Sequence, residues 1–496
     1  MSRVGSWWDA AAVAAAKAAL SFAVLATGFV ALSDDDYSRT VIAEQFARSP
    51  SLDPSGTSWL PLPFWIHGVA MAIFGRSLAT AHATAIVLGV LSAVCVHRAA
   101  SWLGLSRPSA VFAALVAAGI PTAARLGVCA QPEALTAGLV VLGAAASTVD
   151  GSRRVLGAAA LFAACLCRYE AWAAAAAFAL IALYDAARGR RLEKGHQGQR
   201  ARAPSVAGRP ALLASAAITL VAPVIWIAHG ALSHGDALFF LHRVAAYRRA
   251  LGESEPLARS LVAYPAALLS AEPEATMAAI VCAILAAVRA PRALGVASRP
   301  SLVVAALLLF LVVGRVLDGA PTHHAERTLL PLWSFAALFV GEGLVRGLAA
   351  ARGRPRSAAR VAGVVLAVAV VSAPLRASAT VQPGAPRDDE RAIGLVSRLR
   401  LEKDDRLLVD TSDYGYFAII AAFGAPERAE PVDRHDPRHP SSLEVFATDD
   451  GVLALARRSG ARFLVVEPAQ LSRAASLGAV VASAGRFSLV RLTSLR

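Results

Sequence analysis

The chain has 496 residues, 56% of them hydrophobic and only 17% charged, a balance that excludes a string of soluble domains and describes a polytopic membrane protein. Its 49 Lys and Arg against 35 Asp and Glu give a net charge of +14, but the excess lies in short segments between apolar runs. It therefore reports topology rather than a nucleic-acid footprint, and no nucleic-acid partner is expected.

A membrane-crossing helix needs about 20 apolar residues. The first run, 9–32, follows a segment whose single positive charge is Arg3. Ala31-Leu32-Ser33 imitates a signal-peptidase site, yet the run is too long for a signal peptide and reads as an uncleaved span. Further runs cover 77–97, 108–124, 132–148, 155–167, 170–186, 210–229, 261–288, 301–317, 328–346 and 359–375, about eleven spans in all. Cys95, Cys129, Cys165, Cys167 and Cys282 fall in or beside them without paired spacing, which argues against a disulfide framework or a zinc motif.

Twenty Lys and Arg, among them seven in 188–209 and five in 346–360, gather on one side with Asp150, Asp185 and Glu193 as the acids. That side is expected to be cytoplasmic. The scheme requires that 59–75, interrupted by Pro61 and Pro63, lie in the interface or re-enter, with Trp59 and Trp65 at headgroup depth. Every other polar cluster then faces outward, on outer loops at 33–76, 230–260 and 318–327 and on the short stretches 125–133 and 168–170. Amphipathic helices are expected at 37–48 and 238–251, and no internal repeat is visible.

Beyond Leu375 the long apolar runs stop. Residues 376–496 read as a small α/β domain, with strands at 406–410, 462–467 and 486–492 and helices at 388–400, 414–423 and 452–459. The expected fold is thus an all-α polytopic membrane domain, 1–375, followed by a soluble domain. An odd number of spans puts that domain outside the cytoplasmic membrane. In a background without the native cysteines, an impermeant thiol reagent added from outside should modify a cysteine at Ser412 and spare one at Gly198; the reverse pattern would overturn the topology.

Five segments carry candidate chemistry. Asp34-Asp35-Asp36-Tyr37 follows the first span; it is either an acidic loop whose last Asp caps a helix, or a general base or metal ligand at membrane depth. Arg125, Gln131 and Glu133 precede the 132–148 run, where Pro132 and Glu133 also serve as ordinary helix-start signals. Arg168 and Glu170 interrupt a long apolar stretch, as functional residues or as a self-neutralising pair at a helix break. His323-His324-Ala325-Glu326-Arg327 begins another span; Arg327 there is either a loop charge or a forked donor to phosphate. Asp433 to His439 carries ligand-type residues without a zinc spacing.

Taken in order, the Asp34-Asp35 pair with Tyr37, the Trp59-Leu60-Pro61-Leu62-Pro63-Phe64-Trp65 run, Arg125 with Gln131-Pro132-Glu133, Arg168-Tyr169-Glu170-Ala171-Trp172, and Glu326-Arg327-Thr328-Leu329-Leu330-Pro331 resemble the GT-C superfamily. These are integral-membrane glycosyltransferases that use polyprenyl-phosphate sugars, and the likeness is greatest to the protein O-mannosyltransferase and aminoarabinose transferase branch. The resemblance spans residues 1 to about 345. It implies a catalytic carboxylate at Asp34 or Asp35, with the spacing to Tyr37 favouring Asp34, and a donor phosphate at Arg327 with His324. Tyr37, Arg125, Gln131, Glu133, Arg168, Glu170 and Glu326 would line the cavity. It also implies a lipid, glycan or protein acceptor. Thr328 stands where the family often has an aromatic, and three Asp replace its usual Asp-Glu. A divalent metal held by Asp34 and Asp35 stays open.

The chemistry stands apart from the resemblance. Displacing a lipid phosphate from a sugar needs a cation at the leaving group and a carboxylate base at the acceptor, and one displacement inverts the anomeric centre. Two other classes compete: a transporter or flippase of lipid-linked sugars, for which polar groups near the midplane are the norm, and a scaffold anchoring the C-terminal domain, which leaves Arg168 and Glu170 unexplained.

Overall fold

Each of the eleven apolar runs forms helix. The structure, a computed structural model, describes residues 3–195, 208–252, 256–289, 291–319, 324–352, 354–378, 384–432 and 449–493. His323, Gly198 and the Asp433–His439 run lie outside the described residues.

Among the described residues seven helices are long and apolar enough to cross a membrane: Trp7–Ala26, Leu78–Trp102, Glu170–Arg188, Arg209–His234, Ala297–Val316, Leu330–Ala351 and Pro355–Leu375. The 261–288 run, expected as one span, is a bent pair, Leu257–Ala271 and Pro273–Val288, which meet at 96°. Pro273 has no N–H to continue the first helix but is well suited to begin the second. Counted as one, the pair brings to eight the candidates that qualify by length and composition among the described residues. The remaining three runs form Arg107–Gly119 with 13 residues and Glu133–Ala146 and Ser152–Cys165 with 14 each. At 1.5 Å per residue these reach about 20 Å; even so, Glu133–Ala146 and Ser152–Cys165 run from one end of the bundle to the other and back, from Glu133 beside Arg168, past Arg154 beside Asp185, to Arg168.

Of the short helices, Glu133–Ala146 sits inside the bundle, whereas Arg107–Gly119 and Ser152–Cys165 expose Phe112 and Leu156. Every residue of Glu133–Ala146 except Leu139 is buried, and small residues let its neighbours approach. A Cβ on Gly138 would come within 2.5 Å of the Ser92 backbone, and one on Gly341 within 2.5 Å of the Ala113 backbone nitrogen. Apolar side chains such as Leu180, Val224, Ile225, Leu309, Leu366 and Val370 are exposed instead, as lipid-facing positions should be.

The bundle has two chemically distinct ends. Helix Glu170–Gly195 starts at Glu170 and, about 22 Å further along its axis, presents Asp185 to Arg154 and Arg299 at 3.0 and 2.9 Å. These basic residues mark the end expected to be cytoplasmic. The other end carries helices Asp34–Arg48, Leu62–Phe74 and Phe239–Ala250, close to the expected amphipathic segments.

The C-terminal domain docks on that second end. Its sheet comprises β1 (Leu407–Val409), β2 (Ala429–Pro431), β3 (Phe463–Val466), β4 (Gly478–Ala484) and β5 (Phe487–Leu492) in the order β2-β1-β3-β5-β4. β2, β1 and β3 are parallel, and β5 is antiparallel to β3 and β4. Alternate strand residues serve opposite faces. Leu408, Leu464 and Val490 pack with helices Asp449–Ser459 and Pro468–Leu477, whereas Leu407, Val465 and Leu489 pack with Asp388–Arg400 and Tyr416–Phe423. The second helical layer rests on the membrane domain, where Ala418 and Ala421 pack against Ala31 and Tyr37.

Candidate active site

Helix Asp34–Arg48 places three carboxylates in its first turn, where the macrodipole favours them. Successive residues turn by about 100° around a helix, so the three point to different partners. Asp36 turns back: its Oδ2 accepts from the backbone N–H of Leu32 at 2.8 Å and of Ser33 at 3.1 Å. Burial pushes its carboxyl up to about 6, even though the two backbone donors favour the ion. Asp34 faces the C-terminal domain and takes both ends of the Arg387 guanidinium, at 2.9 and 2.8 Å; Arg387 also bonds Asp413 at 2.8 Å. Asp35 faces the bundle and accepts from Arg327 Nη2 at 3.0 Å. Burial pushes the Asp35 carboxyl up, but Arg327 and Arg39 outweigh it and hold the group below the usual carboxylate range.

A buried ionic cluster is built around this pair. Arg327 Nε lies 3.8 Å from Glu133 Oε1, which stands 3.3 Å from Arg168 Nη1; Arg168 Nε in turn donates to Glu170 at 2.8 Å. Arg168 sits where the chain unwinds between helices Ser152–Cys165 and Glu170–Gly195. The freed carbonyls there are satisfied from outside the helix, Leu166 by the N–H of Leu62 at 3.1 Å and Cys165 by Trp172 Nε1 at 2.9 Å. The segment is thus a fixed helix break, and Arg168 does pair with its neighbour while also reaching Glu133.

Arg39, which the sequence reading passed over, completes the cluster. It lies one turn beyond Asp35 on the same helix face, buried, with its guanidinium 4.3 Å from the centre of the Trp59 ring and 5.6 Å from that of Phe64. No carboxylate among the described residues lies within ion-pair distance of it, and its Nε has no hydrogen-bond partner there. A buried cation held by ring faces, with Glu133 and Asp35 acting on it only at longer range, has its donors free for an anion. The signal available in the sequence was the i, i+4 spacing of Asp35 and Arg39.

The other expected site residues divide. Gln131 is buried with both amide atoms unpartnered, a cost of about 1–3 kcal/mol that a polar ligand would relieve. His324 acts electrostatically on Asp35 and stands 3.4 Å from Glu326, so Glu326 serves the histidine rather than the arginines. His324 and Arg387 both have left-handed backbone, at φ 56° and 47°, a strain that accumulates at functional positions. Arg125 lies in the last turn of the short helix Pro121–Leu126. Tyr37 lies apart from the cluster: its hydroxyl donates to the carbonyls of Ala385 and Pro386, at 2.8 and 2.9 Å, and fastens the C-terminal domain. As metal ligands Asp34 and Asp35 fit poorly, because each already faces an arginine and neither belongs to a three-ligand cluster of metal spacing among the described residues.

No family model matches the chain, and no curated protein matches it in sequence. Solved structures do match in shape. ArnT from Cupriavidus metallidurans bound to undecaprenyl phosphate superposes with a TM-score of 0.60 at 16% identity, over 97% of this chain and 98% of that one. Its apo form gives 0.56 at 15% identity, over 95% and 96%. The oligosaccharyltransferase AglB from Archaeoglobus fulgidus, in complex with an inhibitory peptide and a dolichol-phosphate, gives 0.52 at 13% identity, over 95% of this chain and 70% of that one. From first span to C-terminal sheet, the chain has the GT-C fold of these membrane glycosyltransferases.

Proposed function

We propose that the chain is a membrane glycosyltransferase that moves a sugar from a polyprenyl-phosphate donor to a lipid, glycan or protein acceptor at the outer face of the cytoplasmic membrane. The observation that carries this reading is the pairing of Asp35 with Arg327 inside a buried cluster that also holds Arg39, which has no carboxylate partner among the described residues. A carboxylate and forked cations are the two poles that the transfer needs, and they sit at the end of the bundle where a lipid headgroup would arrive. The bound lipid phosphates in the ArnT and AglB structures support the same class of donor.

In this mechanism the donor phosphate enters between Arg39 and Arg327. Engaging Arg327, it loosens the Asp35 pair and raises the basicity of that carboxylate. The acceptor hydroxyl attacks the anomeric carbon and gives its proton to Asp35. The bond from that carbon to the phosphate oxygen breaks, and polyprenyl phosphate leaves with the electron pair and one more negative charge. The arginines gain most from that added charge, so they stabilise the transition state more than the bound donor. A single displacement inverts the anomeric centre. The base falls to Asp35 because Asp34 is held bidentately by Arg387 and Asp36 by its own backbone. The arginines neutralise the phosphate, and no step is assigned to a metal at Asp34 and Asp35. Mass spectrometry of envelope glycolipids and glycoproteins from a deletion strain tests the reading. A glycosylated species should vanish and return with the parent gene; an unchanged profile would count against it.

A further inference from the structure

Inside the membrane domain, away from the arginine cluster, a lysine sits halfway along the first span, Trp7–Ala26. Only three of the 49 Lys and Arg are lysines, and this one, Lys17, is buried. The slot it fills accounts for the choice. A Cβ on Gly127 would stand 2.6 Å from Lys17 Nζ, and one on Gly89 would stand 3.3 Å from its Cε and 2.9 Å from the Gly127 carbonyl oxygen. A compact ammonium fits between these glycines, where the wider, planar guanidinium has less room. Nζ donates to the carbonyl of Ala123 at 3.1 Å, and no carboxylate among the described residues lies within ion-pair distance of it. A charge at that depth is expensive unless it is paired, and an ionisable group there points to a site.

Beside the ammonium lies a cavity of about 20 Å³, whose lining includes Lys17, Ser92, Ala93, Ala118, Ala134 and Ser334. A water molecule needs roughly 10–15 Å³, so the space admits a water or a small ion. Each polar side chain in the lining can donate. Serine inside a helix commonly returns its hydroxyl to a carbonyl one turn back, as Ser101 does to His97 at 3.0 Å. Ser92 and the buried Ser334 make no such bond among the described residues, so both hydroxyls are left for whatever fills the cavity. A Cβ on Gly138 would lie 2.7 Å from Ser92 Oγ, so the glycine keeps that hydroxyl clear. We propose that the cavity binds a chloride ion, held by the Lys17 ammonium and the Ser92 and Ser334 hydroxyls, which balances the charge of the lysine inside the membrane domain. The rest of the wall is apolar, chiefly alanine. That suits a monovalent ion over sulfate or phosphate, whose larger charge one lysine cannot balance. The proposal is independent of the glycosyltransferase reading.

The site has a structural consequence. Ala123 lies between helices Arg107–Gly119 and Glu133–Ala146, and Glu133 stands 3.3 Å from Arg168. With its charge balanced, Lys17 ties the segment that leads to Glu133 to the first span.

The test uses full-length protein in detergent, with sodium chloride exchanged for sodium gluconate, an anion too large for the cavity. At constant ionic strength the unfolding temperature of the parent should rise saturably with chloride, and likewise with bromide. Lys17→Met keeps the length of the side chain without its charge and should abolish that dependence. Ser334→Ala should raise the halide concentration for half the effect about 10-fold. A parent with the same unfolding temperature in chloride and gluconate, or a Lys17→Met variant that keeps the parental halide dependence, overturns the proposal. Should Lys17→Met not fold, crystals of the parent grown in sodium bromide decide: an anomalous peak beside Lys17 Nζ supports the site, and a water there without anomalous signal overturns it.

Discussion

Replacing Asp35 by Asn should lower sugar transfer by roughly 100-fold or more while the protein still inserts and purifies as the parent does. Asn keeps the shape but can neither take a proton nor balance Arg327 at 3.0 Å. The neighbours give the contrast. Asp36→Asn preserves an acceptor for the Leu32 and Ser33 N–H groups and relieves a carboxyl whose ion is disfavoured by burial, so it should cost about 1 kcal/mol or less. The folded Asp36 carboxyl titrates about 6 against an ordinary 3.8. The folded state therefore holds a proton that the unfolded chain releases. That contribution to stability is complete below pH 3.8, falls as pH rises, and is gone above about 6. Asp34→Asn should loosen Arg387 and with it the seating of the C-terminal domain. Transfer rates, and thermal unfolding between pH 4 and 7, for the three variants check this ranking. Equal, small effects on transfer would return all three residues to the role of an acidic helix start.

Arg327→Ala should be nearly inactive, and Arg327→Lys partly active. Lysine keeps the charge but loses the planar fork that can hold Asp35 and a phosphate together. Alanine also leaves the half-exposed Asp35 and the buried Glu133 with less compensation, which costs stability chiefly through the buried Glu133. Folding must therefore be read separately, by gel filtration and thermal unfolding. The phosphate gains charge along the reaction, so Arg327→Lys should lose more in kcat than in donor affinity. Donor binding and turnover measured on both purified variants check this; an Arg327→Ala enzyme with parental turnover would make Arg327 a structural charge only.

Much of the fold was legible because burial writes itself into composition. All eleven apolar runs became helices, and the three strands read from the sequence, β1, β3 and β5, are the three inner strands of the sheet. The two missed strands are its edges. Ala429–Pro431 is three residues long with Glu430 at its centre, and Gly478–Ala484, although largely apolar, is a partly exposed run of small residues that follows a helix directly, so what makes them strands is a neighbour. The bend at Pro273 and the shortness of Glu133–Ala146 were likewise invisible to a hydrophobicity count, because a helix shielded by other helices looks like one that meets lipid. In the site, Asp35, Glu133, Arg168, Glu170 and Arg327 come together from segments that the sequence singled out. Arg387 could not be anticipated, since it meets Asp34 across 353 residues. Arg39 stood at i, i+4 spacing from Asp35, but its meaning depends on the Trp59 and Phe64 rings around it. Tyr37, expected at the cavity, has its hydroxyl on the carbonyls of Ala385 and Pro386, because its place on the helix carries it to the docked domain.

A transporter would share the broken helix Leu257–Ala271 and Pro273–Val288, and it would move a lipid-linked sugar without altering it. Detergent-solubilised protein has no two sides, so incubating the purified parent with polyprenyl-phosphate sugars and envelope extract, and following the donor by mass spectrometry, separates bond cleavage from movement. The account predicts that the parent converts donor to polyprenyl phosphate with one glycosylated acceptor formed per phosphate released, and that Asp35→Asn does not; donor recovered intact with every polyprenyl-phosphate sugar and extract tried would contradict it.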